Sequence, residues 1–233
     1  MAGTPRTAPV RTASGIGRRR AAAAARGTTS GYADRRSAIL AAAATLFKEH
    51  GYNRTTLGDI AAAVGADRAS LYYYFGSKEE VLDALVTHLV IANTEAAERI
   101  RDSEGTSPQK LRKLIVDLMV SFAENYPMLY VYLQSNLSQT TGKRATWAKQ
   151  MREVNHRWEG AIEAIVAQGI DEGSIRPLAD PRILANGVMG VVGWTHRWYN
   201  PARDVDPTAI GEAYAEMILG GVEIPQRKTR RRS

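Results

Sequence analysis

Residues 55–78 read TTLGDIAAAVGADRASLYYYFGSK, and this stretch decides the fold. Leu57, Ile60, Ala61 and Val64 recur at i, i+3, i+4 and i+7, so a first short helix carries one apolar face. Thr56 is placed to cap it, with Asp59 three residues on as a capping-box partner. Gly65 stands where the helix must stop and turn, because glycine takes positive φ without a Cβ clash. Asp67 then caps a second helix. Its Leu71 and Phe75, four apart, point inward and leave Arg68, Ala69, Tyr72 and Tyr73 facing out. Ser77 and Glu80 form a further capping box that starts a third helix at once. Short helix, tight turn, second short helix ending in aromatics: this is the layout of a helix-turn-helix, and the partner it implies is duplex DNA.

The combined pattern TT-x-x-DIA-x-x-x-G-x-x-x-x-x-LYYYF-x-SKEE, with its surroundings over residues 35–85, resembles the DNA-binding domain of TetR-family transcriptional regulators. Two details depart from the commonest form of that domain. Ala69-Ser70 stands where a small residue or glycine usually precedes the LY pair, and Tyr74 replaces the usual histidine. Geometry and resemblance together give the expected DNA contacts. Arg68 and Ala69 open the recognition helix and should reach base edges, arginine most often reading guanine. Tyr72 looks like a base or thymine-methyl contact. Thr56, Ser70, Tyr73 and Lys78 look like phosphate contacts, which set register without reading sequence. Tyr74 is expected to pack toward the fourth helix.

Outward from this stretch the chain reads as all-α. It has 233 residues, 44% of them apolar, and can bury a substantial core. Alanine-rich helical periodicity is everywhere and long alternating Val, Ile and Thr runs are absent. Ile39, Ala43, Leu46 and Phe47 mark the inner face of a helix ending at Gly51. A long helix follows from Lys78 to about Arg101, with Val81, Leu82, Leu85 and Leu89 inward. Ser107-Pro108 reads as a cap and first-turn proline for a helix carrying Leu111, Leu114, Ile115, Leu118, Met119 and Phe122. Pro127 forces a break before a helix from Met128 to about Leu137. Gly142 opens a long helix closed by Gly173, and Asp180-Pro181 and Asp206-Pro207 start the last two. The expected architecture is an N-terminal three-helix helix-turn-helix domain and a C-terminal helical bundle for ligand binding and dimerisation, about nine helices in all. Its expected divisions are a disordered basic arm over 1–34, the DNA-binding domain over 35–77, the bundle over 78–224 and a basic tail over 225–233.

The net charge of +7 is unevenly placed. Residues 1–36 hold eight arginines and one aspartate, and the tail adds Arg227, Lys228, Arg230, Arg231 and Arg232, so the body between them is mildly acidic. An arm rich in Pro, Gly, Thr, Ala and Arg cannot bury a core. Leading into the DNA-binding domain, it either follows phosphates or enters a minor groove, or it is simply solvated.

The resembling family encloses its ligand among helices 4 to 7 and pairs its last two helices across a dimer. Here Met119, Phe122, Tyr126, Tyr130, Tyr132, Trp147, Met151, Trp158 and Trp194 could line a large apolar cavity, with Arg152 beside them as an anion partner. Arg144, His156 and Arg157 add positive charge nearby. Ordinary core packing competes for each aromatic taken singly. GVVGWTHRWYNP, residues 190–201, loosely resembles regulators of steroid and fatty acyl-CoA breakdown, which suggests an acyl-CoA thioester as effector. For the homodimer seam the expected residues are Leu184, Gly187, Val188, Val191 and Trp198 of the eighth helix and Ile210, Tyr214 and Met217 of the ninth.

Several classes are set aside. The chain has no cysteine, which removes disulfides and thiolate chemistry and fits a reducing, cytoplasmic setting. No apolar run is long enough to span a membrane, and the basic N-terminus lacks the apolar core of a secretory signal. His50, His88, His156 and His196 are scattered, with no metal-ligand pair, and no Walker loop, nucleophile elbow or dinucleotide fingerprint is present. No cofactor, metal or enzymatic activity is expected. A constitutive DNA-binding protein without an effector is the alternative function.

Overall fold

A computed structural model of the chain describes residues 30–134, 142–203 and 206–222. The tail over 225–233 and nearly all of the expected arm lie outside these residues. The arm's last residues, 30–34, are helical, so the first helix starts earlier than its apolar periodicity suggests. Nine α-helices and no strand are present among the described residues. The chain divides into two compact units between Val81 and Leu82.

The first unit holds α1 (Ser30–His50), α2 (Leu57–Ala63), α3 (Arg68–Tyr74) and the first turn of α4 (Lys78–Asp102). Ile39, Leu40, Ala43 and Phe47 of α1 are buried, as are Leu57, Ile60 and Ala61 of α2, Leu71 of α3 and Phe75 just after it. Both caps read from the sequence are formed. The Thr56 hydroxyl accepts the Asp59 amide and the Asp59 carboxylate accepts the Thr56 amide, a complete capping box. Asp67 Oδ1 accepts the Ser70 amide at 2.6 Å. At α4 the reciprocal bond shifts by one residue: Ser77 Oγ accepts the Glu80 amide, while the Glu80 carboxylate accepts the amide of Gly76. Gly65, with φ at +61°, makes the turn between α2 and α3 that a side chain would strain.

The second unit comprises the rest of α4, then α5 (Ser107–Glu124), α6 (Met128–Leu133), α7 (Ala145–Asp171), α8 (Pro181–Gly193) and α9 (Pro207–Val222), with 3₁₀ turns at Gly142–Arg144, Trp194–Arg197 and Pro201–Arg203. α4 buries Leu82, Val86, Val90, Ala97 and Ile100. Leu85 and Leu89, expected inward, are only half-buried. The stripe advances four residues per turn over 82, 86, 90 and 94 and so rotates off the 85–89 row. Thr94 belongs to that buried stripe because its hydroxyl donates to the Val90 carbonyl at 2.9 Å. The cap of α5 is Thr106, with Gln109 as its box partner, one residue before the expected Ser107. α6 ends at Leu133, sooner than expected.

α9 packs chiefly along α5, and α7 touches both α5 and α8. Gly211 makes the α5–α9 contact possible: a Cβ there would lie 2.7 Å from the Cα of Val116. Backbone cannot step aside as a side chain tip can. Gly211→Ala is therefore expected to destabilise the second unit by roughly 1–3 kcal/mol, despite the better helix propensity of alanine. A urea titration followed by tryptophan fluorescence checks this, and unchanged or raised stability would contradict the close approach.

Candidate functional site

The DNA-facing candidates lie on α3 and the loop before it. Arg68, Ala69 and Ser70 are exposed on the first turn of α3, Tyr73 is exposed further along, and Tyr72 is half-buried. Arg68 and Tyr72 act as a pair. Nη2 of Arg68 donates to the Tyr72 hydroxyl at 3.2 Å, and the guanidinium carbon lies 5.7 Å from the Tyr72 ring centre. Tyr74 stacks on Tyr32 of α1 at 4.9 Å and meets Tyr73 edge-on at 5.3 Å. Tyr32 had been assigned to the disordered arm. A lone tyrosine in a basic, alanine-rich stretch gives no periodic signal.

The phosphate contact expected of Lys78 meets a different arrangement. Its ammonium donates to the carbonyls of Tyr52 at 2.7 Å, Thr55 at 2.9 Å and Asn53 at 3.4 Å, and lies 4.3 Å from the Tyr52 ring centre. An ammonium has three donors, and here all three point at carbonyls. Lys78 ties the turn before α2 to the start of α4. Thr56 is likewise occupied, its hydroxyl donating to Asp59 while capping α2.

Two predictions arise from this surface. Arg68→Ala is expected to relax selectivity at one base pair by roughly 1–3 kcal/mol, with little change in binding to random DNA. A binding-site selection that returned an unaltered consensus would contradict it. The second concerns pH. The Thr56 amide and hydroxyl hold the Asp59 carboxyl below its ordinary value of 3.8, and the Ser70 amide and hydroxyl do the same for Asp67. A depressed folded value means the caps stabilise fully above the unfolded value and lose that contribution as pH falls through the folded one. The first unit should therefore loosen only below about pH 4. The double replacement Asp59→Asn and Asp67→Asn should flatten that limb in a circular-dichroism titration.

The second unit contains a cavity of about 290 Å³. Its apolar wall includes Val90, Leu118, Met119, Phe122, Leu129 and Val192, and Trp158 closes one side. The polar lining is sparse: Asn93, Thr94, Tyr132, Asn155 and Glu159. Tyr132 donates to Asn155 Oδ1 at 3.1 Å, and burial pushes its hydroxyl pKa up, which keeps the donor protonated. Ser121 donates to Asn93 Oδ1 at 2.8 Å. Both asparagines are thereby oriented with their amide N–H groups left for an acceptor.

Of the expected ligand residues, Met119, Phe122, Tyr132 and Trp158 come together at this cavity. The others lie elsewhere. Tyr126 and Tyr130 form an aromatic row beside Phe122, with centroids 6.5 and 5.6 Å apart in succession. Met151 is fully buried core. Trp147 is held by its indole N–H, which donates to Thr87 Oγ1 at 3.0 Å. Trp194 is 63% exposed and belongs to the outside of the unit. Arg152 is exposed and outside the lining. Nearby basic side chains are engaged too: Arg144 with Asp83 at 2.5 Å and Arg157 with Glu98 at 2.7 Å, while the His156 ring meets Glu159 at 3.0 Å. Among the described residues no cation lines the cavity, and Glu159 is its one charged group. Sequence reasoning missed Asn93 and Asn155, which carry no motif.

The expected seam residues also separate. Val188 and Ile210 are buried within their own unit, Leu184, Val191 and Tyr214 are half-buried, and Gly187, Trp198 and Met217 are exposed. Ile183, which was not expected there, is 62% exposed. No group of three or more potential metal-ligating side chains occurs among the described residues, and no helix of theirs is long and apolar enough to cross a membrane.

Comparison with known proteins fits both units. Residues 39–85 match the family described as bacterial regulatory proteins, tetR family, and residues 104–222 match the tetracyclin repressor-like C-terminal domain. The chain belongs to the TetR family. As a TetR-family transcriptional regulator it has a similar relative in the HTH-type transcriptional repressor KstR2 of Rhodococcus jostii, 28% identical over 198 residues that cover 84% of this chain and 95% of that protein. The fatty acid metabolism regulator protein of Bacillus subtilis is 23% identical over 79% of this chain and 93% of its own length. The solved structure of the ketosteroid transcriptional regulator KstR2 of Mycobacterium tuberculosis superposes with a TM-score of 0.66 at 26% identity, covering 82% of this chain and 96% of that one. TetR-family relatives of this kind are transcription factors and not enzymes.

Proposed function

We propose that this TetR-family regulator is a repressor that holds a palindromic operator as a homodimer and is released when an acyl-CoA thioester places its acyl part in the second unit's cavity. The observation that carries this reading is the cavity itself: about 290 Å³, apolar-walled, near the lower edge of ligand-pocket sizes, with a few convergent polar groups. The lining given by the described residues, apolar with a few neutral polar groups and Glu159, suits an uncharged part of the effector. The amides of Asn93 and Asn155 suit a carbonyl oxygen, which a thioester supplies. The names of the relatives, which regulate ketosteroid and fatty acid metabolism, point to bulky apolar effectors of the same kind.

In this reading Arg68 and Ala69 meet base edges with Tyr72, while Ser70, Tyr73 and the N-terminal end of α2 meet phosphates. The dimer forms through the outer faces of α8 and α9. Exposed Ile183 of α8 and Met217 of α9 provide apolar area there, with Trp198 beyond the end of α8, after the 3₁₀ turn, and not on the helix as expected, and the space open beside Gly187 and Gly190 admits a close partner helix. Two-fold symmetry sets the recognition helices roughly 34–36 Å apart, one DNA turn. The effector acts by binding a differently spaced state more tightly, and operator DNA must then weaken effector binding by the same factor.

The test is operator binding on the DNA upstream of the gene, at physiological salt, with a panel of acyl-CoA thioesters. Release by one thioester, with reciprocal loss of thioester affinity on adding operator, is the expected result. Tight specific binding that no thioester alters would discard the effector class, and weak binding to all sequences alike would discard the repressor.

A further inference from the structure

A second, smaller cleft of about 90 Å³ adjoins the main cavity, and the two share Asn93, Leu118 and Trp158. Beyond those three, the cleft is lined by buried, apolar Ala97, Ile100 and Leu114, by half-buried Ala96 and by the exposed Asp117. The dividing wall is therefore one side chain from each of α4, α5 and α7. These three differ in how they are held. Asn93 is pinned by the Ser121 hydroxyl at 2.8 Å. Leu118 is short and attached to a helix whose neighbours Leu114, Ile115 and Met119 are fully packed. Trp158 is the largest, is half-buried, and its indole N–H has no partner among the described residues. Trp147, three turns back on the same face of the helix, shows the contrast: its N–H is bonded to Thr87.

We propose that Trp158 is a swinging partition that sets how long an apolar chain the effector chamber accepts. With the indole across the gap, a chain ends against it. With the indole turned aside, the chain runs on into the cleft along Ala97, Ile100 and Leu114. This rests on the reading of the main cavity as the effector site, but it concerns the length of the occupant and not its headgroup.

The test uses the full-length protein and straight-chain alkan-1-ols of increasing length, which carry no CoA. Binding is followed by calorimetry for the wild type, Trp158→Ala and the milder Trp158→Leu, with thermal melts confirming that each variant is folded. Affinity should rise roughly fourfold per methylene while the chain still finds apolar wall, then level off. Wild type should level off at a shorter chain than either variant, by several carbons. Levelling at the same length in all folded proteins overturns the partition, and so does failure of every alkanol to bind. Shifted levelling together with thioesters that never release operator would keep the partition and remove the acyl-CoA reading.

Discussion

Phe47→Ala is expected to unfold the DNA-binding unit while the second unit stays folded. Phe47 is fully buried at the centre of the first unit's core, against Tyr52 edge-on at 5.2 Å. Truncating such a side chain costs roughly 3–5 kcal/mol, through lost burial and the cavity left behind. A unit of about fifty residues has in total only roughly 3–7 kcal/mol. The substitution removes most of that margin. The second unit has its own core, so it should not follow. The chain offers a direct readout: its four tryptophans, Trp147, Trp158, Trp194 and Trp198, all lie beyond Leu82. Heating should give an early loss of helical circular dichroism with tryptophan fluorescence unchanged, then a second transition seen by both. Specific DNA binding should vanish at temperatures where fluorescence is still native. One coincident transition in both signals would mean the units do not fold as separate bodies.

Lys78→Met is expected to lower the stability of the same unit by about 1.5–3 kcal/mol, the range for hydrogen bonds made by a charged group. A lysine at the first position of a helix sits against the positive end of the helix dipole, so its placement needs a compensating partner. The carbonyls of Tyr52, Asn53 and Thr55 provide it. Methionine keeps most of the stem and removes the donors. The two readings of Lys78 separate cleanly by experiment. As a clamp, its loss lowers the first thermal transition and reduces operator affinity because the turn before Thr56 loosens. As a phosphate contact alone, its loss leaves the transition in place and reduces the salt slope of binding by about one ion.

Much of the first unit was legible in the sequence because its signals are local. Caps at Thr56 and Asp67 lie within three residues of their partners, and the turn glycine at 65 is fixed by backbone sterics alone. The core face of α1 was readable as a single apolar row. The second unit was legible in outline only. Periodicity reveals that a helix has an apolar face, but not which neighbour covers it. That is why Val188 and Ile210 are buried within their own unit while Ile183 is exposed, and why Trp194 faces outward instead of into the cavity. Lys78 shows a related limit: its partners in the structure are carbonyls, which no side-chain pattern records. Asn93 and Asn155 become distinctive only once three helices bring them to one wall.

The recognition helix spans seven residues and buries one of them, Leu71. Isolated helices this short are marginal in water, so α3 depends on that single anchor and on Phe75 just beyond it. Amide hydrogens along 68–74 should exchange with solvent far faster than those around Phe47, by transient opening of α3 alone. Contact with DNA would close that opening, so part of the binding free energy goes into ordering the reading head. Sequences that engage Arg68 and Tyr72 together should slow exchange along the whole helix, and sequences that engage only the phosphates should not. Selectivity would then be visible as the protection pattern of seven amides.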